Sequence, residues 1–196
     1  MKNKSNIFKE FGIKLQDKIR EISENKTNLF MVLILFIVIL YLSTHYKKIF
    51  FITLLTVVGS LSLIYVRFIK QAYVLGVELV MFATIVCGYA YGSLLGAIVG
   101  FITITVSQFY SGRFKISTLI SIIMVPFIGF ISHYFNFIEI QKLGIILIII
   151  YDLIILPLYY ITGSRLSSVV IYFITHILFN FWIFNNIAPV VLNIIK

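Results

Sequence analysis

Seven apolar runs follow one another along this chain, at roughly 29–44, 48–66, 72–90, 93–111, 116–135, 143–162 and 167–186. Very little separates them: Lys47-Lys48, Arg67 to Gln71, Tyr91 to Ser93, Gly112 to Lys115, Asn136 to Lys142 and Gly163 to Leu166. A helix needs about 20 residues to cross the hydrocarbon core of a bilayer, and most of the runs approach that length. Connections this short make successive helices antiparallel neighbours and leave no room for a soluble domain. The reading is an all-α, polytopic membrane helix bundle of six or seven transmembrane helices with short loops, over residues 29–196. The first run holds about 15 apolar residues, so it either spans a thin bilayer or forms half of a broken element. Composition agrees. Of 196 residues, 61% are hydrophobic and 12% charged, and a water-soluble domain of that size cannot hide so much apolar side chain.

Residues 1–28 differ in kind, with seven of the 16 Lys/Arg and four acidic residues. Phe8, Phe11, Leu15, Ile19 and Ile22 recur at helical spacing, which predicts a cytoplasmic basic amphipathic tail lying on an anionic leaflet or docking on a partner. The tail carries no small-residue cleavage site before the first run, so no cleavable signal peptide is expected. The formal charge is +9, but the basic residues sit at run ends rather than in one patch. That suits orientation in a membrane better than nucleic-acid binding. With seven crossings and the tail inside, 12 Lys/Arg lie inside and 4 outside; with six crossings the division is 11 and 5. Both place the N-terminus in the cytoplasm and the chain in the cell membrane, and they disagree on every later loop. Ile-, Asn- and Lys-rich usage suits an AT-rich prokaryotic genome. Cys87 is the only cysteine, which excludes an intramolecular disulfide and a cysteine zinc site. No cofactor motif is present.

In such runs the polar residues carry the information, because an ionisable group at mid-depth costs several kcal/mol (about 2.5–3.5 on insertion scales) unless paired or wetted. Glu78 lies a third of the way along the third run, Asp152 in the middle of the sixth, and His176 in the middle of the seventh with Asn180 four residues on. Asp152 and His176 fall at similar depth on consecutive helices, so a contact between them satisfies both. The four are expected to converge on one polar cavity. There they serve as a helix staple, as a substrate or ion site, or as a catalytic site. Gly88, Gly92, Gly96 and Gly100 recur every four residues. Gly96 and Gly100 read as a helix-packing GxxxG, Gly92 as a tight turn, and the third and fourth runs as a close hairpin. Pro126 and Pro157 fall inside runs and each frees a backbone carbonyl; Pro157, five residues after Asp152, puts its kink near that cavity.

The stretch 76–130, with VELVMFATIVCGYAYGSLLGAIVG at its start, resembles the substrate-binding S components of energy-coupling-factor vitamin transporters and the related MreD-type membrane proteins. The resemblance rests on hydropathy, glycine spacing and length over about half the chain. It implies a membrane-embedded binding subunit for a vitamin-like solute or metal ion, built on Glu78, Asp152, His176 and Asn180, that docks on a transmembrane coupling subunit with ATPases. The chain itself has no GxxxxGK[ST]. An MreD-like role implies a non-catalytic scaffold instead. His176-x-x-x-Asn180 is also similar to the last motif of CPBP intramembrane proteases, but the paired glutamates of that family are absent. The chain is therefore expected not to be an enzyme.

Overall fold

The computed structural model describes residues 16, 26–69, 75–112 and 116–195. The tail over 1–28 therefore lies almost wholly outside the described residues, as do Arg113 and Lys115. Among the described residues the secondary structure is entirely helical. The chain divides into two units, Met1–Lys47 and Lys48–Lys196. The first contributes α1 (Lys26–His45), a helix of 20 residues with polar ends and an apolar middle.

The second unit holds α2 (Lys47–Leu61), the single turn α3 (Tyr65–Phe68), α4 (Val80–Tyr91), α5 (Ser93–Ser111), α6 (Ile116–Ser132), α7 (Ile140–Ile161), α8 (Leu166–Asn186) and α9 (Ala188–Ile195). Among the described residues four stretches are long and apolar enough to cross a bilayer: Lys47–Phe68, Ser93–Ser111, Ile140–Ile161 and Leu166–Asn186. Their outward faces carry Phe101, Ile150, Leu178 and Trp182, all exposed, whereas Thr103, Ser107, Asp152 and His176 are fully buried. Apolar outside and polar inside is the reverse of a water-soluble helix bundle and is compatible with a lipid surround.

The third apolar run departs from a simple spanning helix. Residues 75–79 are not helical, and α4 starts only at Val80. Twelve residues of helix reach about 18 Å, short of the roughly 30 Å hydrocarbon core. Glu78 thus sits just ahead of a short helix and not a third of the way along a long one. The cause is local. Gly76 packs so closely on α8 that a Cβ there would collide with His176 and the Tyr172 carbonyl. The freed backbone groups find side-chain partners: Gly76 N–H donates to Thr175 Oγ1 (2.8 Å), and the Val77 carbonyl accepts from Tyr65 OH (2.9 Å). Irregular backbone is tolerated inside an apolar bundle only when it is satisfied in this way.

α4 is the central element, buried from Val80 to Gly88. It turns into α5 through Gly92, whose φ of +114° belongs to glycine. Gly88, Gly96 and Gly129 then meet where α4, α5 and α6 cross, with backbone against backbone, and Gly100 lies against Thr84 and Pro126. Gly129, which the glycine ladder did not include, completes the close approach from α6. On the opposite side Gly59 of α2 packs on Ala83 and Thr103, and Phe82 meets Phe184 edge-on at 5.7 Å. Phe184 in turn fills the space left by Gly144 of α7. Beyond the last apolar run, α9 folds back with Ala188, Leu192 and Ile195 buried.

Candidate functional site

Asp152 and His176 face each other across α7 and α8, which the tight turn at Gly163 (φ +92°) makes antiparallel neighbours. Imidazole Nδ1 lies 2.9 Å from both Asp152 carboxylate oxygens. On the other side of the ring Nε2 lies 3.0 Å from Glu78 Oε1. The three groups form one line, carboxylate–imidazole–carboxylate, with Asp152 and His176 wholly inaccessible and Glu78 5% exposed. Tyr172 stacks on the imidazole at 5.1 Å between ring centres.

Glu78 has a second task. Its carboxylate accepts the N–H of Val80 and of Met81, the first free donors of α4. The break in the third run therefore places an acidic side chain where a helix N-terminus presents unpaired N–H groups and partial positive charge. Asn180 does not join the line. Its amide donates to the His176 carbonyl at 3.0 Å, one turn back on α8, and its own Oδ1 has no hydrogen-bond partner.

A neutral imidazole has one donor and one acceptor, but two carboxylates offer only acceptors. The line therefore holds a proton beyond what a neutral ring and two carboxylates carry. Either the ring is an imidazolium or one carboxyl is protonated. The two carboxylates approach opposite nitrogens and do not converge on a point. Among the described residues no group of three or more His, Cys, Asp or Glu is placed to hold a metal ion.

Beside the line is a cavity of about 530 Å³, lined by Glu78, Gln108, Ser121, Tyr151, Tyr159 and Tyr172 among others. Of the four residues singled out from the sequence, Glu78 alone lines it; Asp152, His176 and Asn180 stand behind the wall. Gly112, Gly163, Ser164 and Arg165 mark the end of the bundle to which it extends. Tyr151 OH donates to Ser121 Oγ (3.1 Å), and Ser121 Oγ pairs with Tyr159 OH (2.7 Å), which ties α6 to α7 along one wall. On α5 the hydroxyls of Thr103, Ser107 and Ser111 bond carbonyls of their own helix. Gln108 Oε1 has no partner although the residue is 92% buried. Gln108 and the three tyrosines are not among the residues that stand out in the sequence. Thr103, Ser107 and Ser111 at four-residue spacing were a visible polar stripe on the fourth run. Nothing in the sequence separates the three tyrosines from the other aromatic residues of an apolar chain.

No protein-family model, no curated protein and no solved structure matches this chain. The site has to be interpreted from its own geometry.

Proposed function

We propose that this protein is a membrane-embedded binding subunit for a small solute, in the manner that the S-component resemblance implies, and that it performs no catalysis of its own. The observation that carries this reading is the cavity of about 530 Å³ between apolar helices, lined by hydroxyls, one amide and one carboxylate, with Arg165 at its end. Small-molecule sites occupy about 300–1,000 Å³ and combine apolar walls with a few fixed polar groups. A scaffold needs no such space. The buried line supports binding over hydrolysis, since both nitrogens of His176 are engaged by carboxylates and neither is free to activate a water. Asp152 and His176 act from behind, holding Glu78 in place, and Asn180 braces the α8 backbone at His176.

The protein belongs in the cell membrane with its N-terminus in the cytoplasm. Segment 75–91 crosses as extended chain followed by half-helix, since about 16 Å of the former and 18 Å of the latter reach 30 Å. Lys48–Lys196 then supplies six crossings, and α1 makes a seventh if it spans. A capture subunit requires the Gly163–Arg165 end to face outward, which is the six-crossing arrangement. Transport itself falls to a separate coupling subunit with ATPases.

The test is thermal unfolding of the purified protein in detergent, wild type beside Asp152→Asn and Gln108→Leu, against vitamins, amines, carboxylates and metal ions. A solute that raises the unfolding temperature of the wild type, and raises that of Gln108→Leu less, supports the reading. If nothing shifts the wild type while the variants are only less stable, the line is a helix staple and the protein is a scaffold.

A further inference from the structure

The kind of solute follows from what the cavity leaves unsatisfied, if the binding reading holds. Gln108 Oε1 is a buried acceptor with no donor. Glu78 presents a carboxylate to the same space, and its accepted hydrogen bonds come from Val80, Met81 and His176. Tyr151, Tyr159 and Tyr172 supply aromatic surface. One unused acceptor, a carboxylate and tyrosine rings together match a hydrogen-bond donor with positive charge, because the ring face is the negative pole of its quadrupole. Opposing this among the lining residues is Arg165, which is exposed and stands in the loop at the end of the cavity. Its guanidinium can sit in water, whereas the buried groups cannot.

Charge balance sharpens the point. The titratable groups facing the line are Tyr151 on α7 and Tyr172 on α8; α5 and α6 present Gln108 and Ser121, which do not titrate. An imidazolium between two carboxylates has a net charge of −1, and a further proton on a carboxyl makes it neutral. In an apolar bundle the empty site favours the neutral state, because a buried charge with neither water nor a counterion is strongly disfavoured. We propose that the cavity takes a small organic cation, a protonated amine or quaternary ammonium, and that the cation replaces one proton on the Glu78–His176–Asp152 line. The balance is one cation in and one proton out to water, with the charge of the site unchanged. The sign follows: affinity for the cation rises with pH through the titration of the line, by about tenfold per pH unit for one proton.

Three probes of nearly equal shape separate the possibilities: choline, its uncharged isostere 3,3-dimethylbutan-1-ol, and 3,3-dimethylbutanoate. They are titrated calorimetrically into the full-length protein in detergent, in two buffers of different ionisation enthalpy and at several pH values. The expected result is saturable choline binding at least about tenfold tighter than the alcohol, with one proton released per choline. Glu78→Gln should abolish the proton release; Gln108→Leu, which leaves the line intact, should weaken binding and preserve the release. Glu78 also caps α4, so if that variant fails to fold, the buffer dependence of the wild type and Gln108→Leu decide the matter. Choline bound without proton release overturns the exchange. Equal binding of the alcohol, or preference for the carboxylate, overturns the cation while leaving a solute cavity in place. Binding of none of the three overturns this inference, and the broader solute panel then judges the cavity itself.

Discussion

Replacing His176 by leucine tests the buried line most directly. The imidazole is within 3.0 Å of both carboxylates, and His176 is the hydrogen-bond partner of the Asp152 carboxylate. Leucine is close in volume, so the packing loss is small and electrostatics dominate. Breaking a buried pair by removing one partner costs about 3–5 kcal/mol, because the charge left behind has neither water nor counterion. For a chain of this length about 2–4 °C follows each kcal/mol, so the unfolding temperature in detergent should fall by roughly 6–20 °C. The decisive variant is the double Asp152→Leu/His176→Leu, which removes the stranded charge together with its partner. Glu78 keeps the N–H groups of Val80 and Met81. The double variant should therefore be more stable than His176→Leu alone, a non-additive result. The assay is thermal unfolding followed by reaction of Cys87, the sole cysteine, which is fully buried when folded. If the double variant is as unstable as the two single losses added, the groups do not interact as an ion pair and the reasoning fails.

Further outcomes follow from the same contacts. Gly129→Ala should destabilise by about 1–3 kcal/mol, since its Cβ would strike the Gly96 backbone and helices must separate to admit it; unfolding temperature reports this. Thr175→Val leaves the Gly76 N–H without its acceptor and should cost about 1–3 kcal/mol, with faster hydrogen exchange at Gly76 as the specific readout. Phe184→Ala should cost about 3–5 kcal/mol, because the ring is fully buried in the hollow over Gly144. Gly144→Ala/Phe184→Leu should then recover part of the loss if the hollow is the reason. A maleimide that cannot cross membranes, applied to intact cells carrying Ser164→Cys and Cys87→Ala, should label from outside if the cavity end faces outward; labelling only after lysis would favour the seven-crossing arrangement.

The sequence by itself determined the helical class, the apolar exterior and the identity of the buried ionisable groups. Each follows from local chemistry: run length, short connections, and the cost of Glu78, Asp152 and His176 among Ile and Leu. The role of Gly92 in the turn was equally legible, because a two-residue gap between helices needs an unusual φ. Tertiary structure decided the rest. That the third run breaks before Val80 depends on Tyr65 of the preceding element and on Thr175 and the backbone of α8, the last two far along the chain from Gly76. The convergence of Gly129 on Gly88 and Gly96 depends on how α6 crosses α4 and α5. The position of the cavity, with Glu78 at its wall and His176 behind it, depends on the angles at which six elements, α3 to α8, meet. Hydropathy and spacing report what each helix must bury; which side chains meet is a property of packing between elements, and no single segment contains it.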